Sequence, residues 1–304
     1  MADGQQLRDL GGRGPQGASP RRWCFVLAFA PHVAAVLGRR LDMTGRACSH
    51  NSAGSAAASI GYSDYLQLPA LLSLQRPLGA PQVPDELLFI IVHQTHELWF
   101  KQLLQDLTLL VSHLDADAWD DAAIRLDRLV RILRLLVDHL DVLSSMPASE
   151  FQGFRTALGT ASGMQSEQYR EIERLAGGET EQAPPVAGAA RSSVRFAFLH
   201  ALGRAHAAGR GAASPNEATE AGPASQLLTR VWHSPDLVAE RAVAERLTEL
   251  DEQMAVWRGR HATLAQQMIG DTAGTGGSLG VRYLEEAVAR RFFPELHAAA
   301  SQRG

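Results

Sequence analysis

Cysteine is nearly missing from this chain. Of 304 residues only Cys24 and Cys48 are cysteines, both in the N-terminal tract. The rest of the chain can therefore form no disulfide, thiolate metal cluster or C-x-x-C-H haem attachment, and the usage predicts a cytoplasmic protein. Lysine is scarcer still. Lys101 is the only one, against 28 arginines, which hints at a local requirement there. A basic surplus is also lacking. Residues 1–58 hold seven arginines against three aspartates (+4), and the remainder holds 22 basic against 30 acidic residues (−8), for a net charge of −4. Charge-driven binding of nucleic acid is excluded on that balance. No apolar run reaches the roughly 18–20 residues a membrane span needs. Nor do strands alternate with helices or period-2 patterns recur, so the fold class is all-α.

What is present centres on Pro84–Leu104, PDELLFIIVHQTHELWFKQLL. It opens on a proline and two acids, as helix N-termini do, and runs free of glycine and proline to about Leu114. Leu87, Ile90, Ile91, Leu98 and Leu103 give apolar cover on several sides, which predicts a helix buried within a bundle. Asp85, Phe89, His93, Glu97 and Lys101 recur at every fourth position and share one face. Spacing alone reads this row as a core histidine beside an ordinary Glu–Lys pair. Further helices are expected over Tyr62–Gln75, Ala116–Met146, Ser149–Leu158, Glu167–Leu175, Ser192–His206, Gln226–Trp232, Pro235–Met268 and Val281–Arg291. The stripe of the second long helix includes Leu126, Leu129, Ile132, Leu133, Leu136, Leu140 and Val142. Linkers are expected over residues 176–190 and 207–225, a glycine-rich loop over Gly274–Gly280, and a tail after Arg291.

Residues 1–58 are rich in Gly, Ala, Ser and Arg. Arg21-Arg22 before the apolar run Trp23–Leu37 has the outline of a twin-arginine export signal, but Pro31 and His32 interrupt it. A disordered extension, or a start codon set upstream of a true start such as Met43, is the reading taken. His93, His96 and Glu97 form H-x-x-H-E, whose order is wrong for the zinc-protease helices. GTGGSLG follows a helix rather than a strand and lacks the phosphate-loop lysine, yet it offers backbone N–H groups and the Thr275 hydroxyl to a ligand. His261 sits one turn after Trp257, with Leu264, Ala265 and Met268 on the same side. Such a histidine is either a core residue or the axial imidazole of a buried haem, and spacing alone favours the core.

Taken together, YSDYLQLPALLSLQ, DELLFIIVHQTHELWFKQLL, EFQGFR…SGMQS and WRGRHATLAQQMIG…GTGGSLGVRYL…RFFPEL closely resemble the tryptophan 2,3-dioxygenase family, in the family's order and over most of residues 60–296. The resemblance implies a helical bundle from 59 to 304 holding one haem b per subunit, usually in a homotetramer, with residues 176–225 as a variable insertion. It implies that L-tryptophan and O2 are the partners, with no nucleic acid or membrane, and N-formyl-L-kynurenine the product. By residue match, His261 would be the proximal iron ligand and His93 the distal histidine facing the indole N–H. Phe89 would pack on the indole, Phe151 would line the pocket, Arg155 would bind the substrate carboxylate and Thr275 would meet the amino-acid head group. Tyr62 and Tyr65 match residues given to a neighbouring subunit's pocket, and Ser162 and Gly163 would lie by the distal haem face.

Departures from the family pattern are Met164 where phenylalanine is expected, His96 in place of a small or aromatic residue, and variation in SSMPASEF and in residues 176–225. They leave two alternatives standing: a haem oxygenase for a modified tryptophan that inserts one or two oxygen atoms, and a non-catalytic haem-binding protein.

Overall fold

A computed structural model describes residues 60–177, 193–209, 224–270 and 281–300. The tract 1–58, most of both linkers and the glycine-rich loop with Thr275 lie outside these. The described residues contain helices and connecting turns and no strand, as the absence of period-2 patterning predicts. In chain order the α-helices are α1 (Tyr62–Leu66), α2 (Leu68–Leu71), α3 (Glu86–Asp115), α4 (Trp119–Leu143), α5 (Ala148–Arg155), α6 (Glu167–Ala176), α7 (Val194–Ala207), α8 (Ala224–His233), α9 (Val238–Ile269), α10 (Val281–Val288) and α11 (Pro294–Ala300).

The core is built on α4, which packs along both α3 and α9. Its buried stripe of Leu126, Leu129, Ile132, Leu133, Leu136 and Leu140 meets Leu103, Leu107, Leu110 and Leu114 of α3 and Leu247, Leu250 and Met254 of α9. Each fully buried side chain of this kind contributes about 1.5–3 kcal/mol relative to exposure. Val142 does not belong to that stripe and is exposed, because at the last turn of α4 its side of the helix faces outward. On the other flank of α3 lie α6 and α7.

Helix α3 departs from its expected burial. Leu103 is buried, but Leu87, Ile91 and Leu98, which share one side, are exposed. An all-round apolar helix is thus covered on its core side only. Its N-terminus also differs from a simple acid-on-dipole arrangement. Asp85 caps nothing with its side chain, while the buried Glu86 carboxylate accepts from the backbone N–H groups of Leu78 (2.6 Å) and Gly79 (2.8 Å). A Cβ on Gly79 would come within 2.9 Å of that carboxylate, so a larger residue there would make the Glu86 side chain shift. At the far end Arg204 donates to the carbonyls of Leu114 (2.6 Å) and Asp115 (3.3 Å), satisfying acceptors the helix itself leaves open.

Two further boundaries differ from the sequence reading. Tyr62–Gln75 is two short helices, parted at Gln67 with a left-handed backbone (φ 52°). The expected tail contains α11, whose entry is held by the fully buried Asp251. Its carboxylate accepts from Phe292 N (3.0 Å), Phe293 N (3.4 Å) and His297 Nε2 (2.9 Å). A carboxylate with several donors is the form in which a charge can be buried. No described helix is long and apolar enough to cross a membrane.

Candidate active site

Three helices bring the sequence candidates together. On α3, Phe89 and His93 stand one turn apart with ring centroids 4.0 Å from each other. From α5, Phe151 approaches Phe89 at 5.7 Å, and the fully buried Phe154 packs edge-on to both, at 5.3 and 5.4 Å. Helix α5 is itself tied to the end of α9 by Gln152 Nε2, which donates to the Met268 carbonyl (2.7 Å). Arg155 follows Phe151 by one turn, so it projects from the same side of α5 and is half-buried. Phe89, His93, Phe151 and Arg155 therefore flank one region.

The distal candidate has a defined tautomer. His93 Nδ1 lies 2.7 Å from the Phe89 carbonyl, which only accepts, so Nδ1 carries the proton and Nε2 presents a lone pair. Solvent reaches the ring, yet the surrounding protein strips enough hydration to lower its pKa below the ordinary histidine value. The Phe89 carbonyl and the Glu97 carboxylate oppose that shift without reversing it. Glu97 is not engaged with Lys101 by any ion pair among the described residues. Its carboxylate and carbonyl accept from Gln168 Nε2 at 2.8 and 2.9 Å.

Across from α3, the His261 imidazole of α9 lies against Trp257, rings stacked at 5.6 Å and 20°. Burial, then the nearby His93 and His96, push its pKa down to about 4, so the ring is neutral at physiological pH. Among the described residues neither of its nitrogens makes a hydrogen bond. A neutral imidazole with a free lone pair is the donor an iron porphyrin takes as its single protein ligand. No group of three or more His, Cys, Asp or Glu side chains that could hold a bare metal ion occurs among the described residues. Ser162 and Gly163 form the edge of a short 3₁₀ turn. The Ser162 hydroxyl accepts from Met164 N (3.4 Å), and a Cβ on Gly163 would meet nothing within 4 Å, which leaves open space beside it.

Two expectations are not decided by the described residues of one chain. Tyr62 and Tyr65 are 77% and 62% exposed and make no side-chain hydrogen bond or ring contact among the described residues. Thr275 lies outside the described residues. Conversely, sequence reasoning missed the packing of Phe154 on Phe89 and Phe151, the Gln168–Glu97 contact and the link from His96 to Trp257. His96 is buried, its pKa lowered to about 4 chiefly by that burial. Its Nδ1 donates to the Val92 carbonyl (2.8 Å) and its Nε2 accepts from the Trp257 indole N–H (3.3 Å). His96 was flagged by the H-x-x-H-E spacing and by its departure from the family pattern, and Phe154 lies within EFQGFR, but no contact of either could be read there; nothing local in the sequence points to Gln168.

Comparison with known proteins identifies the family. A family model described as tryptophan 2,3-dioxygenase matches residues 47–232 and 224–302. The tryptophan 2,3-dioxygenase of Xanthomonas campestris pv. campestris (strain B100) is 39% identical over 253 residues, covering 77% of this chain and 85% of the relative. That of Anaeromyxobacter sp. (strain K) is 38% identical over 256 residues, covering 80% and 96%. With a match spanning most of its length and every described helix from α1 to α11, the chain belongs to the tryptophan 2,3-dioxygenase family.

Proposed function

We propose that this protein opens the indole 2,3-bond of L-tryptophan with O2, giving N-formyl-L-kynurenine, the first step of the kynurenine pathway, and that it does so with haem b held by His261. The observation that carries the reading is the pair of neutral imidazoles, His93 and His261, on helices α3 and α9, beside the aromatic wall of Phe89 and Phe151. Haem, when bound by His261, would supply an iron able to react with O2.

The remaining work falls to side chains that bind and orient. His93 Nε2, its lone pair directed by the Nδ1–Phe89 bond, accepts the indole N–H. Phe89 and Phe151 give the indole an apolar slot and keep water from it. Arg155 clamps the substrate carboxylate with two parallel N–H groups, which a point charge cannot do. Thr275 meets the amino-acid head group, and Ser162 and Gly163 border the distal side. Substrate plus O2 equals product in atoms and electrons, so no external reductant is needed and the protein's task is mainly positioning.

Residues 59–304 form the catalytic domain, with residues 1–58 an extension and 176–225 a variable insertion. A homotetramer is the proposed assembly. Its support is the exposed apolar side of the chain, with Tyr62, Tyr65, Leu72, Leu74 and Leu78 ahead of α3 and Leu87, Ile91 and Leu98 on it. Tyr62 and Tyr65 complete the pocket of a neighbouring copy. The proposed location is the cytoplasm, and no nucleic-acid or membrane partner is proposed.

One experiment tests the reaction. Haem-loaded protein is reduced without oxygen, then given L-tryptophan and O2. The expected product carries the mass of tryptophan plus two oxygen atoms. A product with one added oxygen replaces dioxygenation by mono-oxygenation, and an unchanged substrate beside a normal Soret band leaves a haem-binding protein without this activity.

A further inference from the structure

Trp257 is held on every side. Tyr169 faces it at 5.4 Å, Phe100 meets it edge-on at 6.0 Å, and His261 stacks on it at 5.6 Å. Its one polar atom, the indole N–H, reaches across from α9 to α3 and donates to His96 Nε2 (3.3 Å). His96 is equally constrained. Its Nδ1 is committed to the Val92 carbonyl one turn back, so a ring flip loses both hydrogen bonds. His139 of α4 stands edge-on to it at 5.8 Å. The His261 imidazole, by contrast, makes no hydrogen bond of its own among the described residues, so the plane of its ring is set by what it packs against.

We propose that His96 is a positioning residue for the iron ligand: by accepting from Trp257 it fixes the indole against which the His261 imidazole lies, and so sets the rotational angle of that imidazole over the haem. This rests on the haem reading above. The hydrogen bond also ties α9, which carries the proximal ligand, to α3, which carries His93 one turn before His96. A residue at position 96 without an acceptor facing α9 leaves the indole held by packing alone, free to adopt more than one angle.

The test uses haem-loaded full-length protein and reads the iron–histidine stretching band in the resonance Raman spectrum of the reduced, substrate-free form. His96→Leu removes the acceptor at similar volume, Trp257→Phe removes the donor but keeps a ring, and His96→Gln retains an acceptor. The band is expected to shift or broaden in His96→Leu and in Trp257→Phe, and to move back toward wild type in His96→Gln. Bands identical to wild type in both His96→Leu and Trp257→Phe overturn the proposal. Should His96→Leu fail to fold, Trp257→Phe alone decides, with an unmoved band overturning it. Equal displacement in His96→Gln and His96→Leu also overturns it, since a volume effect would then explain both. A wild-type protein that takes up no haem sinks the functional reading and this inference together. A haem-bound wild type with unmoved variants sinks the inference alone.

Discussion

Helix α9 carries two polar side chains three residues apart whose surroundings are opposite in kind. Arg258 is 3% exposed and satisfied from several directions. Its guanidinium donates to Glu173 (2.9 Å), to the Tyr169 hydroxyl (3.0 Å) and to the Arg290 carbonyl (2.9 Å), and it lies 4.9 Å from the centre of the Phe292 ring. His261 has a ring to stack on and no hydrogen bond among the described residues. The same helix thus holds a closed polar cluster that binds α6 and the C-terminal segment together, and an open donor that faces the site. An imidazole whose nitrogens stay unbonded is available to a ligand, which is the role proposed for His261. The contrast sets a side chain that holds the structure against one proposed to serve chemistry, and it makes four predictions.

The largest effect is expected at the open donor. His261→Ala should lose haem, and with it all activity, while far-ultraviolet circular dichroism stays near wild type. A variant with full haem occupancy and an unchanged spectrum breaks the contrast outright. At the closed cluster the signs reverse. Arg258→Ala leaves Glu173 buried without its partner and should cost about 3–5 kcal/mol of stability. Urea denaturation reads it, and a midpoint equal to wild type refutes it.

Arg155 comes next and sharpens the site itself. Removing a charged clamp from a closed pocket costs roughly 2–5 kcal/mol, or about 30- to 4000-fold. Arg155→Ala should therefore keep its Soret band but raise KM for tryptophan within that span, and Arg155→Lys should recover only part. An indole compound without the carboxylate should be used equally poorly by wild type and Arg155→Ala. Equal KM for tryptophan in the two proteins removes Arg155 from the site.

The smallest effect is one of pH, in haem-free protein. His96 and His261 are held neutral by burial, with pKa values of about 4 in the folded chain against about 6.5 when unfolded. The unfolded chain then binds more protons between these limits, so the stability these groups contribute is fully present above about pH 6.5 and declines as pH falls toward 4. Thermal melts between pH 7 and pH 4 should show that fall, and His96→Leu should make it shallower. A slope unchanged by that substitution shows that other groups carry the acid sensitivity.

Much of the fold was legible in residue order. The 30-residue α3 follows from a long run without proline or glycine, the 32-residue α9 from a proline-free run broken only by Gly259, and both from apolar periodicity; they start and stop within a few residues of expectation. Motif likeness pointed to His93, Phe89, Phe151, Arg155 and His261 before any contact was known. The exposed side of α3 was not legible, because periodicity marks a residue as apolar and leaves open what covers it. The helix in the tail was missed because its stability rests on Asp251, some forty residues away, rather than on local propensity.

By itself the sequence determined the all-α class, the family and the chemistry-bearing residue types, since these depend on local pattern and on motifs read in order. Only the tertiary structure decided which imidazoles are bonded and which are open. His93, His96 and His261 look alike along the chain, three histidines on helices among apolar neighbours. A carbonyl at Phe89 directs one, an indole from α9 engages the second, and a ring stack alone holds the third. Those partners come from other turns and other helices. A histidine's role follows from what its nitrogens meet in space, and no reading of its neighbours in sequence contains that.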